Sequence, residues 1–337
     1  MNKKYVFLGF VVLLFGFLIF NNNLNKKITK IDIGKTEKVN VGIEVGMLTA
    51  PILIAEHNGY FKEQGLEVNF KPFQAGKLAL ESMLLGDSVD IVTVGPVPIT
   101  LKSFNRQDFS IFTTFVSSDS DDKIIARKDK GINTMTDLKG KKIGLTVGTS
   151  CQFFVDSILV FNGISTSDVQ TVDLKPNDLS EALESGKVDA ICAWEPRAFN
   201  IFKSLGNKAL KFVNPGIFKE TFNLVAMKNY IKNNPKIIEK FILAVDKGVS
   251  FLNTHKKESQ NIIANKINLN LKTVEDLMNT FSYEVSLDQS MLLTLEDVAR
   301  WAIKNNLTTK NKIPNFLDFI YFAGMDVVKS EAVNITH

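Results

Sequence analysis

The chain has 337 residues, 45% of them apolar and 23% charged, which excludes wholesale disorder and collagen-like repeats and suggests two compact domains. Its two cysteines exclude a disulfide framework or a four-thiolate zinc site, and leave only a Cys151–Cys192 pair open. The formal charge of +4 belongs to the N-terminus, where Lys3, Lys4, Lys26, Lys27 and Lys30 accompany no acid in the first thirty residues; without them 35 basic side chains face 36 acidic ones, and a nucleic-acid-binding reading loses its main support.

Tyr5 to Phe20 is an unbroken apolar or glycine run behind Lys3 and Lys4, the layout of an export signal. Its 16 residues fall short of the roughly 20 that comfortably span a bilayer. No A-x-A-like cleavage site follows, so an uncleaved membrane anchor and a cleaved signal both stay open. No cysteine follows either, which excludes a lipid-anchored lipoprotein. The expected compartment is the periplasm or the outer face of the cytoplasmic membrane, with residues 1–36 as signal or anchor and tether.

The body reads as an internal duplication. Val68-Asn69-Phe70-Lys71-Pro72, followed by Ala79-Leu80-Glu81-Ser82, Gly86, Asp90 and Pro96, matches Val172-Asp173-Leu174-Lys175-Pro176, followed by Ala182-Leu183-Glu184-Ser185, Gly186, Asp189 and Pro196. Upstream of each copy lies an apolar run ending in glycine, Val41 to Gly46 and Ile143 to Gly148. Each unit reads as strand, helix, strand, helix, strand, and such alternation implies a parallel α/β sheet. Cys151 to Phe161 is one such helical run of 3.6 period, with Phe154, Ile158 and Phe161 expected on one face. After Met227 the pattern turns mostly helical, at Pro235 to Asn253, Ser259 to Lys266, Val274 to Phe281 and Leu295 to Asn305. The expected fold class is therefore α/β and two-lobed, with residues 37–120 plus 222–337 as lobe one, 121–221 as lobe two, and the helical C-terminal part packed on lobe one. The chain crosses near Ser117–Lys123 and Pro215–Asn223, making a hinge.

Ligands of open α/β sheets bind beyond the carboxyl ends of the strands. Applied to both units, that rule names Leu48, Thr49, Ala50 and Pro51, then Gln74 and Gly76, then Gly95 and Pro96, then Thr149 and Ser150, and finally Trp194 and Glu195. Thr149 and Ser150 open a predicted helix whose free N–H groups suit an anionic group, although plain capping explains them equally well. Trp194 offers a stacking face and Glu195 a carboxylate for a cationic ligand group, against the plainer reading of a core indole and a helix-capping acid. Together they suit a zwitterion or an amine-bearing heterocycle. No HExxH, GxSxG or phosphate-binding loop occurs. His57 reads as a surface helix-end histidine, and Cys151 has no base partner for catalysis. No cofactor, metal or catalytic residue is expected.

Ala55-Glu56-His57-Asn58-Gly59-Tyr60-Phe61-Lys62-Glu63-Gln64-Gly65-Leu66-Glu67-Val68 closely resembles the signature of periplasmic substrate-binding proteins of the nitrate/sulfonate/taurine type, a family that includes binders of thiamine-precursor pyrimidines. Asp137 to Gly144, Ala182 to Ala190 and Trp194-Glu195-Pro196 extend the resemblance to roughly residues 38–330. It implies a type II periplasmic-binding-protein fold that closes on a small anionic or zwitterionic molecule, or a pyrimidine vitamin precursor, and delivers it to an ABC permease as a monomer. The family's ligand loops fall on the residues named above. Missing are the usual lipoprotein cysteine and the cysteine-rich motif of related fungal pyrimidine synthases. Two rivals stay open: an enzyme of pyrimidine or menaquinone-precursor metabolism on the same fold, and a membrane-tethered ligand sensor.

Overall fold

The structure, a computed structural model, describes residues 36–213 and 215–336; the expected signal or anchor lies outside them. Among the described residues no helix is long and apolar enough to cross a membrane.

The chain opens with strand β1 (Glu37–Glu44), a short 3₁₀ turn (Met47–Thr49), helices α1 (Ala50–His57) and α2 (Tyr60–Glu63), then β2 (Leu66–Phe73), α3 (Gly76–Leu85), β3 (Ile91–Val94), α4 (Pro96–Ser103) and β4 (Phe109–Ser118). A second run follows: β5 (Lys123–Arg127), β6 (Lys142–Leu145), α5 (Ser150–Phe161), β7 (Gln170–Asp173), α6 (Leu179–Glu184), β8 (Ala190–Ala193), α7 (Arg197–Leu205) and β9 (Ala209–Phe212). The chain then returns through β10 (Glu220–Met227) to α8 (Lys228–Asn233), α9 (Pro235–Thr254), α10 (Lys256–Ile267), α11 (Leu271–Met278), β11 (Ser282–Ser286), α12 (Gln289–Lys304) and α13 (Ala323–Lys329).

Two sheets result, ordered β11-β4-β10-β3-β1-β2 and β7-β6-β8-β5-β9. In each, three parallel strands (β2-β1-β3 and β7-β6-β8) meet an antiparallel neighbour, β10 in one and β5 in the other. The shared order is what a duplicated strand–helix unit produces. Central strands β3 and β8 are buried at every position, as befits strands covered by helices on both faces. The chain passes from the first sheet to the second between Ser118 and Lys123 and comes back between Phe212 and Glu220.

The helical tail packs on the first lobe, α9 against α1 and α12 against α4. Its starts are written in the sequence: Pro235 stands in the first turn of α9, Asn270 accepts from Thr273 N above α11, and Asp288 accepts from Ser290 N above α12. Two local features go beyond the sequence reading. Ser282–Ser286 is a strand between two of the runs read as helical, its Tyr283 and Val285 buried against the sheet edge. Phe161 is 72% exposed although Phe154 and Ile158, on the same face, are buried; it is the last residue of α5.

Candidate functional site

The carboxyl ends of β1, β3 and β8 converge with the first turns of α3 and α5 on one cleft between the sheets. Its walls include Glu44, Leu48, Gly76, Lys77, Gly95, Pro98, Asp121, Thr149, Ser150, Trp194, Glu220 and Phe222. The space they leave is about 30 Å³, enough for a water or two. An organic ligand enters only if the lobes part.

Three contacts tie the lobes together around this space. Trp194 Nε1 donates to Glu44 Oε1, Lys77 Nζ donates to the Val147 carbonyl at 2.8 Å, and farther out Trp301 Nε1 donates to Asp156 Oδ2 at 2.9 Å. Phe153 packs edge-on to both Trp301 and Phe218 beside the last of these.

The lining is acidic. Glu44 ends β1, with Oε2 accepting from Gly76 N at 3.2 Å; burial pushes its carboxyl up to about 7, against the lowering effect of the Trp194 bond and the Arg197 charge. Glu220 opens β10 and packs so closely on Gly95 that a Cβ there would lie 2.1 Å from Glu220 Oε1, so any side chain at 95 would displace this carboxyl group. Asp121 and Asp122 sit on the crossover into the second lobe. Burial raises Asp121 and Glu220 well above the ordinary carboxylate range, with neighbouring acids adding to it, and raises Asp122 to about 6. Asp121 Oδ2, Asp122 Oδ2 and Glu220 Oε2 are buried without a hydrogen-bond partner, an arrangement that is costly for ionised groups.

The residues named from sequence separate into four sets. Leu48, Gly76, Gly95, Thr149, Ser150 and Trp194 line the cleft. Gln74 is exposed and faces an outer groove with Pro196 and Arg197. Thr49, Ala50, Pro51 and Pro96 are buried in their own turns; Thr49 Oγ1 donates to the Glu44 carbonyl at 2.7 Å and holds the loop rather than facing the cleft. Glu195 has the plainer of its two readings: Oε1 pairs with Lys123 Nζ at 2.7 Å and Oε2 accepts from Phe199 N at 2.8 Å, inside the second lobe. The helix start at Thr149-Ser150 also meets a carboxyl group of the protein's own. Thr149 Oγ1 donates to the Thr146 carbonyl, and Ser150 Oγ donates to Asp122 Oδ1 at 3.1 Å.

Among the described residues one group has metal-ligating donors within 4.8 Å of one another, namely Asp122, Cys151 and Cys192. Cys151 donates to Asp122 Oδ1 at 3.3 Å; burial pushes that thiol well up and the Cys192 thiol to about 11. Both therefore stay protonated near neutrality, and Cys151 serves as a donor to Asp122 rather than as a nucleophile.

Sequence reasoning missed Glu44, Lys77, Pro98, Asp121, Glu220 and Phe222. Pairing Glu195 with a ligand failed because its partner, Lys123, lies on another strand. A usable signal did exist for Asp121 and Asp122: two adjacent acids in a short crossover, at the point where the chain changes lobes.

A family model described as NMT1/THI5 like matches residues 48–259. A Bacillus subtilis (strain 168) protein bearing the name of an aliphatic sulfonates-binding protein is 25% identical over 292 residues, 83% of this chain and 86% of its own length. The taurine-binding periplasmic protein of Escherichia coli (strain K12) is 22% identical over 210 residues, 61% of this chain and 64% of its own. In structure, the alkanesulfonate-binding protein SsuA from Xanthomonas axonopodis pv. citri, bound to MOPS, superposes with a TM-score of 0.75 at 18% identity, over 86% of this chain and 100% of that one. That likeness establishes the two-lobed periplasmic-binding-protein fold.

Proposed function

The chain belongs to the NMT1/THI5-like family, and from that premise we propose that it is the exported solute-binding component of an ABC importer, closing its lobes on a small amine-bearing heterocycle of the pyrimidine vitamin-precursor class. The closed form docks on a membrane permease, the protein works as a monomer outside the cytoplasmic membrane, and the N-terminal apolar run carries it there. Relatives named for sulfonates and taurine support the solute-binding role. The choice of ligand within it rests on one observation, the acid lining.

A sulfonate needs cations or free donors. In this cleft Ser150 Oγ is given to Asp122, Lys123 to Glu195 and Lys77 to a carbonyl. The partnerless oxygens of Asp121 and Glu220 instead call for N–H donors, and Trp194 supplies a flat wall. A protonated, buried Cys151 favours a receptor over an enzyme.

The test is a thermal-shift screen of the full chain against taurine, alkanesulfonates, nitrate and 4-aminopyrimidines. A ligand at 100 times its Kd adds about 2.7 kcal/mol of stability. A shift with aminopyrimidines and none with sulfonates is expected. A shift with sulfonates alone, or with nothing in the panel, overturns the ligand class.

A further inference from the structure

We propose that this cleft closes on protons and exchanges them for a cation: in the ligand-free protein the acids of the two lobes come together in neutral form, and the ligand enters as a cation that takes the protons' place. The ligand half rests on the reading above, whereas proton-driven closure stands independently of which molecule is carried.

The geometry carries it. Glu44 and Glu220 approach from the first lobe, Asp121 and Asp122 from the crossover, and Glu195 from the second lobe. The cations beside them are already engaged. Lys123 Nζ holds Glu195 at 2.7 Å and the Ser120 carbonyl at 2.6 Å, Lys77 holds Val147, and Arg197 lies 5.0 Å over the Trp194 ring. The remaining titratable groups near the cluster carry no charge near neutrality: the Cys151 and Cys192 thiols, and Tyr283, whose hydroxyl donates to the Met47 carbonyl at 3.4 Å. One lysine pairs one acid, and four acids remain.

Asp121 and Glu220, 2% and 4% exposed, line the cleft, each with one oxygen that nothing satisfies. Ionised, these groups would repel one another out of reach of water, and parting the lobes would relieve both the repulsion and the desolvation. Protonated, they tolerate the closed cleft.

The sign follows from burial. Glu44 is raised to about 7 and Asp122 to about 6 in the closed form, each by desolvation first. The closed form therefore binds more protons than an open, hydrated one. It is favoured at acid pH and loses ground as pH rises through that range. A cation seated among the acids reverses the preference, because it lets them ionise while the lobes stay shut.

The experiment reads Trp194 in full-length Trp301→Phe protein, where it is the sole tryptophan, by acrylamide quenching without ligand. The quenching constant should rise several-fold from pH 5.5 to 8.5 at unchanged far-ultraviolet dichroism. Asp121→Asn/Glu220→Gln in the same background, which keeps Glu44 and Asp122, should show a markedly smaller rise over the same pH range. At pH 8.5, benzamidinium, a flat cation, should restore protection, and uncharged benzamide should not. Equal quenching at both pH values, a rise that comes with loss of dichroism, or an unaltered pH response in the double variant overturns proton-driven closure. A pH response that benzamidinium leaves untouched overturns the exchange. A failure of aminopyrimidines in the thermal screen touches neither result.

Discussion

Glu195 and Glu220 are buried to the same degree, 3% and 4% exposed, at the mouths of the two sheets. The second lobe gives its glutamate a lysine and a backbone N–H; the first gives Glu220 a glycine to pack on and leaves Oε2 without a partner. One acid is part of the framework; on the function proposed above, the other is held ready for a ligand. Burial alone does not separate a structural carboxylate from a ligand-binding one, but the list of partners does.

The largest expected effect breaks the framework side. Lys123→Met leaves Glu195 buried and uncompensated, and should lower unfolding free energy by about 3–5 kcal/mol in urea denaturation. Glu220→Gln removes a buried acid that has no cation, and at neutral pH without ligand should change stability by less than about 1 kcal/mol. Similar losses for the two variants would erase the distinction.

That distinction also marks how far the sequence could be read. Fold class was legible because both units alternate apolar strands with helical runs, and because Pro235, Asn270 and Asp288 announce the helices behind them. The strand-end rule led to loops that border the cleft, since a loop is located by its strand. Which side chain of a loop faces the cleft depends on pairings at long range. Trp194 reaches Glu44 across 150 positions and Asp121 holds Glu195 N across 74, and neither partner belongs to a motif. Glu44 lay within the apolar run Val41 to Gly46, and Glu220 within the expected crossing Pro215–Asn223, where nothing singled either out. The Ser282–Ser286 strand was hidden for a related reason: five residues alternating against a sheet edge leave too short a pattern to stand out between helices.

On the ligand side, Glu220→Gln should weaken a cationic ligand by the value of a charged hydrogen bond, about 1.5–3 kcal/mol, or roughly ten- to 150-fold in Kd. Titration calorimetry with benzamidinium, or with an aminopyrimidine identified by the screen, measures it. Thr49→Val loses the bond to the Glu44 carbonyl but nothing that lines the cleft, so it should cost stability of about 1 kcal/mol and leave the affinity alone. An intact affinity in Glu220→Gln would return Glu220 to the framework and make the two mouths alike.

A comparably small effect concerns the bond from Trp194 to Glu44. Trp194→Phe keeps an aromatic wall but deletes the donor to Glu44, at a net cost of about 1 kcal/mol. The more telling readout is the pH profile. Glu44 moves from its ordinary 4.5 to about 7 on burial, and the indole N–H holds it below where burial alone would put it. Its share of stability is whole below about 4.5 and falls as pH rises through about 7, because the folded form holds the proton longer. Without the indole donor Glu44 rises further, so in thermal melts the fall should continue to higher pH before it levels off. A profile that levels off at the same pH, or lower, would mean that Trp194 supports the lobe interface by packing and not through the carboxylate it touches.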